Sequence, residues 1–143
     1  MYDALTISDY IVKYSCLMKY TISNLKLQKI LYFVQADFLV NANGACFDEE
    51  IEAWDFGPVV PVVYQKYKRY GSTSIPYYSG KMLCMIDKQD RARIERMVDK
   101  CAKYTAAQLV EITHRQQPWI ESYSKYRRNI IPKNRIRLFF SKG

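Results

Sequence analysis

The stretch SNLKLQKILYFVQADFLVNANG, residues 23 to 44, sets the tightest limit on what this chain can become. Leu27, Ile30, Leu31, Val34 and Phe38 repeat at the spacing of one helical face, and Leu25, Phe33 and Leu39 widen that face into a broad apolar arc. Ser23 or Asn24 can cap the start, and Gly44 lies beyond the end. The spacing predicts a helix over residues 24–41. A helix apolar over so wide an arc must be covered on several sides, so it belongs at the centre of a core.

The elements to cover it are present. Ile7, Tyr10, Ile11, Tyr14, Leu17 and Met18 predict an amphipathic helix over 7–20, capped by Thr6 or Ser8. Pro61 suits the first turn of a helix bearing Val62, Val63, Tyr67 and Tyr70, with Gly71 as its stop. A helix from Asp87 to about Tyr104 would bury Ile94, Met97, Val98 and Cys101. Thr105 and Gln108 form a capping box for the next, with Leu109, Val110 and Ile112 inward. Pro118 ends that helix and can start another at Trp119, and Pro132 opens a last one with Ile136 and Phe139. The fold class expected is mainly α: one compact multi-helix domain over residues 1–143. Any β-structure should be a short hairpin or extended segment around residues 46–56 and 72–86.

Composition narrows the function classes. The net charge of +8 is unevenly placed: residues 1–71 carry seven Lys/Arg and eight Asp/Glu, residues 72–143 fifteen and six. From Ser122 onward there are seven bases and no acid, a tail that attracts nucleic acid or an acidic protein surface or serves only as a solvated face. Thirteen tyrosines suit half-buried edges and interfaces. Cys16, Cys46, Cys84 and Cys101 form no C-x-x-C pair and have one histidine beside them, so neither a metal site nor a disulfide framework is indicated. No cofactor is expected. No apolar run reaches the roughly 20 residues that span a bilayer, and the N-terminus has no signal-like character, which predicts a cytoplasmic protein without a membrane partner.

Residues 46–59, CFDEEIEAWDFGPV, hold the densest acidic run beside two exposed-type aromatics and a Gly-Pro pair. Pro58 pushes Gly57 out of the helical region, and Gly57 can take angles closed to other residues, so the chain turns here. Gly57→Val is expected to abolish folding rather than to remove binding selectively. This apolar knuckle either closes the core or, crowned by Asp48, Glu49, Glu50, Glu52 and Asp55, offers a docking face.

KLQKILYFVQADFL followed by FDEEIEAWDFGPVVPVVYQKY resembles the Panacea antitoxin domain, the SocA-like or phage-associated protein family. The pattern is carried by Lys26, Leu27, Gln28, Lys29, Tyr32, Ala53, Trp54, Gly57, Pro58, Val59 and Tyr64. TAAQLVEITHRQQPW is similar to the family's downstream element, through Leu109, Thr113, His114, Pro118 and Trp119, and IPKNRIRLFF to its final helix. The resemblance runs over roughly residues 5 to 140, with Ile30 where leucine is usual and Phe56 where tyrosine is common. It implies a helical domain that binds and neutralises a cognate protein toxin, without enzymatic activity, and for the SocA member an adaptor role delivering that toxin to a protease.

Structural roles are available to the motif residues too: Leu27 and Tyr32 as core, Lys26 and Lys29 as partners of the acidic run, His114 as a bond to a terminal carbonyl or carboxylate, Trp119 as a seal. Other function classes are a basic nucleic-acid-binding regulator, expected to bind weakly and without sequence preference, and a thiol enzyme built on His114 and Cys101. Two faces could receive a toxin. One is Asp48, Glu49 and Glu52 with Trp54 and Phe56; the other is Tyr64, Tyr67, Lys68 and Tyr70 with the basic tail. The acidic face is the expected one if the toxin's own site is cationic.

Overall fold

A computed structural model describes residues 1–77 and 85–142. Its helices in chain order are α1 (Ala4–Leu17), α2 (Asn24–Asn41), α3 (Pro61–Tyr67), α4 (Lys88–Ala102), α5 (Ala106–His114), α6 (Gln117–Ser122) and α7 (Lys133–Ser141), with a 3₁₀ turn over Lys68–Tyr70. Three short strands, β1 (Ile51–Trp54), β2 (Gly57–Val59) and β3 (Ile130–Ile131), form an antiparallel sheet in the order β2-β1-β3. The protein is mainly α.

Helix α2 is the axis. It packs against α1, α3, α4, α5, α7 and β2, and buries Leu27, Ile30, Leu31, Val34, Ala36 and Phe38. Its ends fall where the sequence places them, with the Ser23 hydroxyl accepting from the Lys26 N–H at 3.2 Å. Less expected is that the same helix also buries Asn24, Gln28, Lys29, Tyr32 and Gln35. Each of these polar groups bonds to a different non-neighbouring segment. Asn24 Nδ2 donates to the Tyr64 carbonyl at 3.1 Å, Gln28 Oε1 accepts from the Val60 N–H at 2.9 Å, and Tyr32 Oη donates to Gln116 Oε1 at 2.7 Å. Gln35 Oε1 accepts from the Cys46 N–H at 2.7 Å while its Nε2 donates to the Phe47 carbonyl at 2.8 Å. A buried backbone group without a partner is costly, so these side chains fix where the non-helical segments may lie.

The remaining helices follow their caps. The Thr105–Gln108 capping box has both reciprocal bonds, at 3.1 and 2.8 Å, and Pro118 sits in the first turn of α6. Helix α1 departs from the expected 7–20. Asp3, not Thr6 or Ser8, is its cap, accepting from the Leu5 N–H at 3.0 Å, and the helix stops at Leu17. Lys19 then takes a positive φ of 62°, which turns the chain and leaves Leu17 and Met18 exposed. Asp87 precedes α4 but its side chain caps nothing.

The hairpin expected around 46–56 forms over β1 and β2, five residues later at its start and three at its end, with Trp54 opposite Gly57 and Asp55–Phe56 as a two-residue turn. Strand β3 arises in a stretch with no strand expectation: Ile131 is buried opposite Ile51, and the Ala53 N–H donates to the Asn129 carbonyl at 2.8 Å. In the 72–86 stretch the described residues form no strand, and residues 78–84 lie outside those described.

The tyrosine excess also has an internal explanation. Tyr2 donates to Asp90, Tyr10 to Glu95, and Tyr14 and Tyr20 both to Asp99, tying the α1 region to α4. Tyr67 donates to Asp9 and Tyr123 to Asp55. Burial and then the adjacent carboxylate push the Tyr2 and Tyr14 hydroxyls up to about 12.

Gln35→Leu tests the polar anchoring. It conserves shape but strands the Cys46 N–H and Phe47 carbonyl, each at about 1–3 kcal/mol. Chemical denaturation is expected to show a loss of at least about 2 kcal/mol, where a surface substitution would change stability by at most about 0.5 kcal/mol.

Candidate protein-docking site

Gly57 and Pro58 are where the site begins. Gly57 has a φ of +105°, closed to ordinary side chains, and a Cβ there would stand 2.6 Å from Lys29 Cε and 2.8 Å from Thr113 Oγ1. The glycine is therefore required by both conformation and space. It lets β2 lie against α2 closely enough for Lys29 Nζ to donate to the Pro58 carbonyl at 3.0 Å. Lys29 is fully buried, and burial alone lowers its pKa to about 7. It does not pair with the acidic run, and neither does Lys26, whose pKa is lowered by burial.

The tip of the hairpin is gripped from the other side by α5 and α6. His114 Nε2 donates to the Asp55 carbonyl at 2.9 Å, Trp119 Nε1 donates to the Trp54 carbonyl at 2.9 Å, and Tyr123 Oη donates to Asp55 Oδ1 at 2.5 Å. The three donors form one stack, with ring centroids 4.1 Å apart for His114 and Trp119 and 4.4 Å for Trp119 and Tyr123. Pro118, buried in the first turn of α6, sets the position of Trp119. His114 thus bonds the carbonyl of a hairpin turn rather than a helix-terminal carbonyl or a carboxylate.

Held between these two grips, the tip presents aromatics outward. Phe56 is 67% exposed. The Trp54 ring meets Tyr64 of α3 edge-on at 4.9 Å, carries the Arg128 guanidinium at 3.9 Å, and donates through Nε1 to Glu52 at 2.8 Å. Trp54, Phe56, Val59 and Tyr64 border an open groove of about 810 Å³, whose opposite bank is the 125–128 segment. The two candidate faces therefore share one groove: Trp54 and Phe56 come from the first, Tyr64 and Lys68 with the basic tail from the second.

Of the acidic run, only Asp55 borders the groove. Glu49 Oε1 accepts from the Ala4 N–H at 3.1 Å at the start of α1, and burial raises its pKa. Glu50 pairs with Lys133 at 3.1 Å, and the same Lys133 donates to the Asp48 carbonyl at 3.0 Å. Glu52 and Asp55 are taken by Trp54 and Tyr123. Asp48 is exposed. Leu27, Gln28, Lys29 and Tyr32 are all buried: Gln28 and Lys29 bond the Val60 N–H and the Pro58 carbonyl, Tyr32 bonds Gln116 ahead of α6, and Leu27 is core.

Sequence reasoning missed Gln35, Thr113 as a neighbour of Gly57, Tyr123 and the Arg128–Trp54 contact. Gln35 was findable, being a polar residue seven positions from Gln28 on an otherwise apolar face. The position of residues 125–128 depends on Tyr126 at a φ of +69°, which no sequence signal announces.

The family model of the SocA-like antitoxins, Panacea domain, matches residues 27–120, from the buried polar run of α2 to the aromatic stack of α6. The chain belongs to this family. A relative named Antitoxin SocA, from Caulobacter vibrioides (strain NA1000 / CB15N), is 32% identical over 128 residues, which cover 82% of this chain and 68% of the relative. No solved structure matches the chain. Membership places the protein among the antitoxins of toxin–antitoxin systems, and within the matched stretch Gln28, Lys29, Gly57, Pro58, His114, Pro118 and Trp119 assemble the gripped hairpin.

Two variants test this assembly. Gly57→Ala is expected to destabilise by about 1–3 kcal/mol from the backbone conformation, with a further loss from displacing Lys29 and Thr113, read from the denaturation midpoint. Lys29→Met probes the buried amine through pH. The unfolded chain keeps the Lys29 proton up to its ordinary 10.5, whereas the folded chain releases it near 7. Between those values unfolding takes up a proton, so wild-type stability rises with pH across this window. In Lys29→Met that rise should be absent; an equal slope in both proteins would show that Lys29 stays charged in the fold.

Proposed function

We propose that the protein neutralises a cognate protein toxin by binding it stoichiometrically, with the β1–β2 tip and the groove beside it as the contact surface. The observation that supports this most is Phe56, an exposed aromatic on a two-residue turn whose carbonyls and carboxylate are held by His114, Trp119 and Tyr123. A rigid aromatic anchor binds with little ordering cost, and interfaces draw most of their affinity from such anchors. The reading requires no catalytic group, only surface complementarity in the cytoplasm.

Among the family's proposed roles, delivery of the toxin to a cellular protease would need a second free surface while the groove is occupied, and α4 with the exposed side of α7 lies away from the tip. A nucleic-acid-binding role has less to draw on. Of the tail bases, Lys133 and Arg135 are paired with Glu50 and Glu121, so the tail does not present an uninterrupted cationic face.

The test starts from the protein that co-purifies stoichiometrically from the native host. Expressed alone it is expected to arrest growth, and co-expression of the wild-type chain to restore it. Phe56→Asp should keep the wild-type melting temperature yet lose the rescue by about tenfold or more in affinity. Full rescue by a folded Phe56→Asp would place the toxin elsewhere, and a partner that never arrests growth would remove the antitoxin reading from this chain.

A further inference from the structure

We infer that the groove between the hairpin, α3 and the 125–128 segment receives an acidic segment of the toxin, carrying carboxylates around one apolar side chain. This rests on the antitoxin reading and specifies the chemistry of its partner. Among the described residues bordering the groove, Lys68, Lys125, Arg127 and Arg128 face a single carboxylate, Asp55, which Tyr123 already holds. None of the four cations is in an ion pair among the described residues, whereas Lys66, Arg93, Arg115, Lys133 and Arg135 all are. Four cations without an ion pair therefore stand together on the rim of one groove. Arg128 is positioned on the Trp54 face and Lys125 lies 5.3 Å from the Tyr126 ring centre, so two of them are pre-oriented by aromatic contacts.

The floor differs from the rim. It is made by Leu25, Val59, Trp54 and Tyr64, with Gln28 and Asn24 beneath. Those two amides offer nothing to a ligand: Gln28 bonds the Val60 N–H and Asn24 Oδ1, and Asn24 Nδ2 bonds the Tyr64 carbonyl. An apolar floor with a cationic rim fits a peptide that buries an aliphatic or aromatic side chain and brings carboxylates to Lys68 and to residues 125–128. It fits a nucleic acid less well. The Trp54 ring is covered by Arg128 and meets Tyr64 edge-on, the floor has no spare donor or acceptor for a base edge, and four phosphate contacts are few. The inference is opposite in charge to the expected acidic docking face, whose Glu49, Glu50, Glu52 and Asp55 carboxylates are engaged by α1, Lys133, Trp54 and Tyr123.

The inference is tested by calorimetry of the intact co-purified partner against the wild type and Arg127→Glu/Arg128→Glu, with Lys13→Glu/Lys103→Glu as a control reversal on another surface. The groove reversal is expected to weaken binding by about tenfold or more and the control by less than about twofold. Wild-type affinity should fall with added salt, and the groove variant should lose most of that dependence. If the Arg127/Arg128 variant does not reach the wild-type melting temperature, Lys68→Glu/Lys125→Glu carries the same expectation. Overlapping peptides of the partner, probed with labelled protein, are expected to give hits rich in Asp and Glu around an apolar residue. Equal affinity of wild type and groove variants overturns the inference, as do hits confined to basic segments. Displacement of the partner by single-stranded DNA at physiological salt would assign the groove to nucleic acid instead. Failure of the partner to arrest growth would remove the antitoxin reading while leaving this binding result standing.

Discussion

The structure depends on one polar contact between a helix and a strand: Gln28 and Lys29 of α2, both buried, hold the Val60 N–H and the Pro58 carbonyl at 2.9 and 3.0 Å. The hairpin is too short to be stable by itself. β1 has four residues and β2 three, and two-stranded hairpins are marginal in water. Anchoring β2 to the central helix supplies what the ladder cannot. The close approach this needs is permitted by Gly57 alone, and the cost is a lysine buried without a carboxylate, whose charge the fold disfavours. An apolar residue at 29 would bury as well but would leave the Pro58 carbonyl unpaired.

From that anchor the rest of the site follows in order. With β2 fixed, β1 pairs to it and to β3, and the Asp55–Phe56 turn arrives beneath the α5–α6 stack, where His114, Trp119 and Tyr123 close on it. With the turn fixed, Trp54 stands between Tyr64 and Arg128, and the 125–128 segment becomes the far bank of a groove. The Panacea pattern, which joins an apolar helix, a Gly-Pro turn and a His-Pro-Trp element far apart in sequence, is therefore one spatial unit. Its residues mainly support the tip; the groups free to meet a partner are Phe56 and the rim cations outside that pattern.

Much of the fold is legible in the sequence because local rules act where tertiary forces agree with them. The 24–41 helix, the Thr105–Gln108 capping box and the proline starts at 61 and 132 are found as expected, whereas α5 already stops at His114 and α6 begins at Gln117, so Pro118 lies inside the first turn of α6 and does not end α5. Helix α1 was misplaced by three residues because its apolar period continues through Met18, past the point where Lys19 turns the chain. Strand β3 is invisible in the sequence because two residues carry no period and pair only with Ile51 and Glu52 of β1. In the candidate site, aromatics and charges were legible as types but not as partners. The sequence shows an acidic run and a basic tail; only the folded chain shows that Glu49 accepts the first N–H of α1, that Lys133 takes Glu50, and that Tyr hydroxyls meet Asp and Glu across α1 and α4.

Whether α2 pre-positions the hairpin tip is tested most directly by amide hydrogen exchange in Gln28→Ala, residue by residue from Ile51 to Val60. The account predicts exchange of the hairpin amides and of Val60 faster by about tenfold or more, corresponding to the loss of one buried bond, with α1 and α4 unchanged. Wild-type exchange rates throughout the hairpin of a folded Gln28→Ala protein would contradict it.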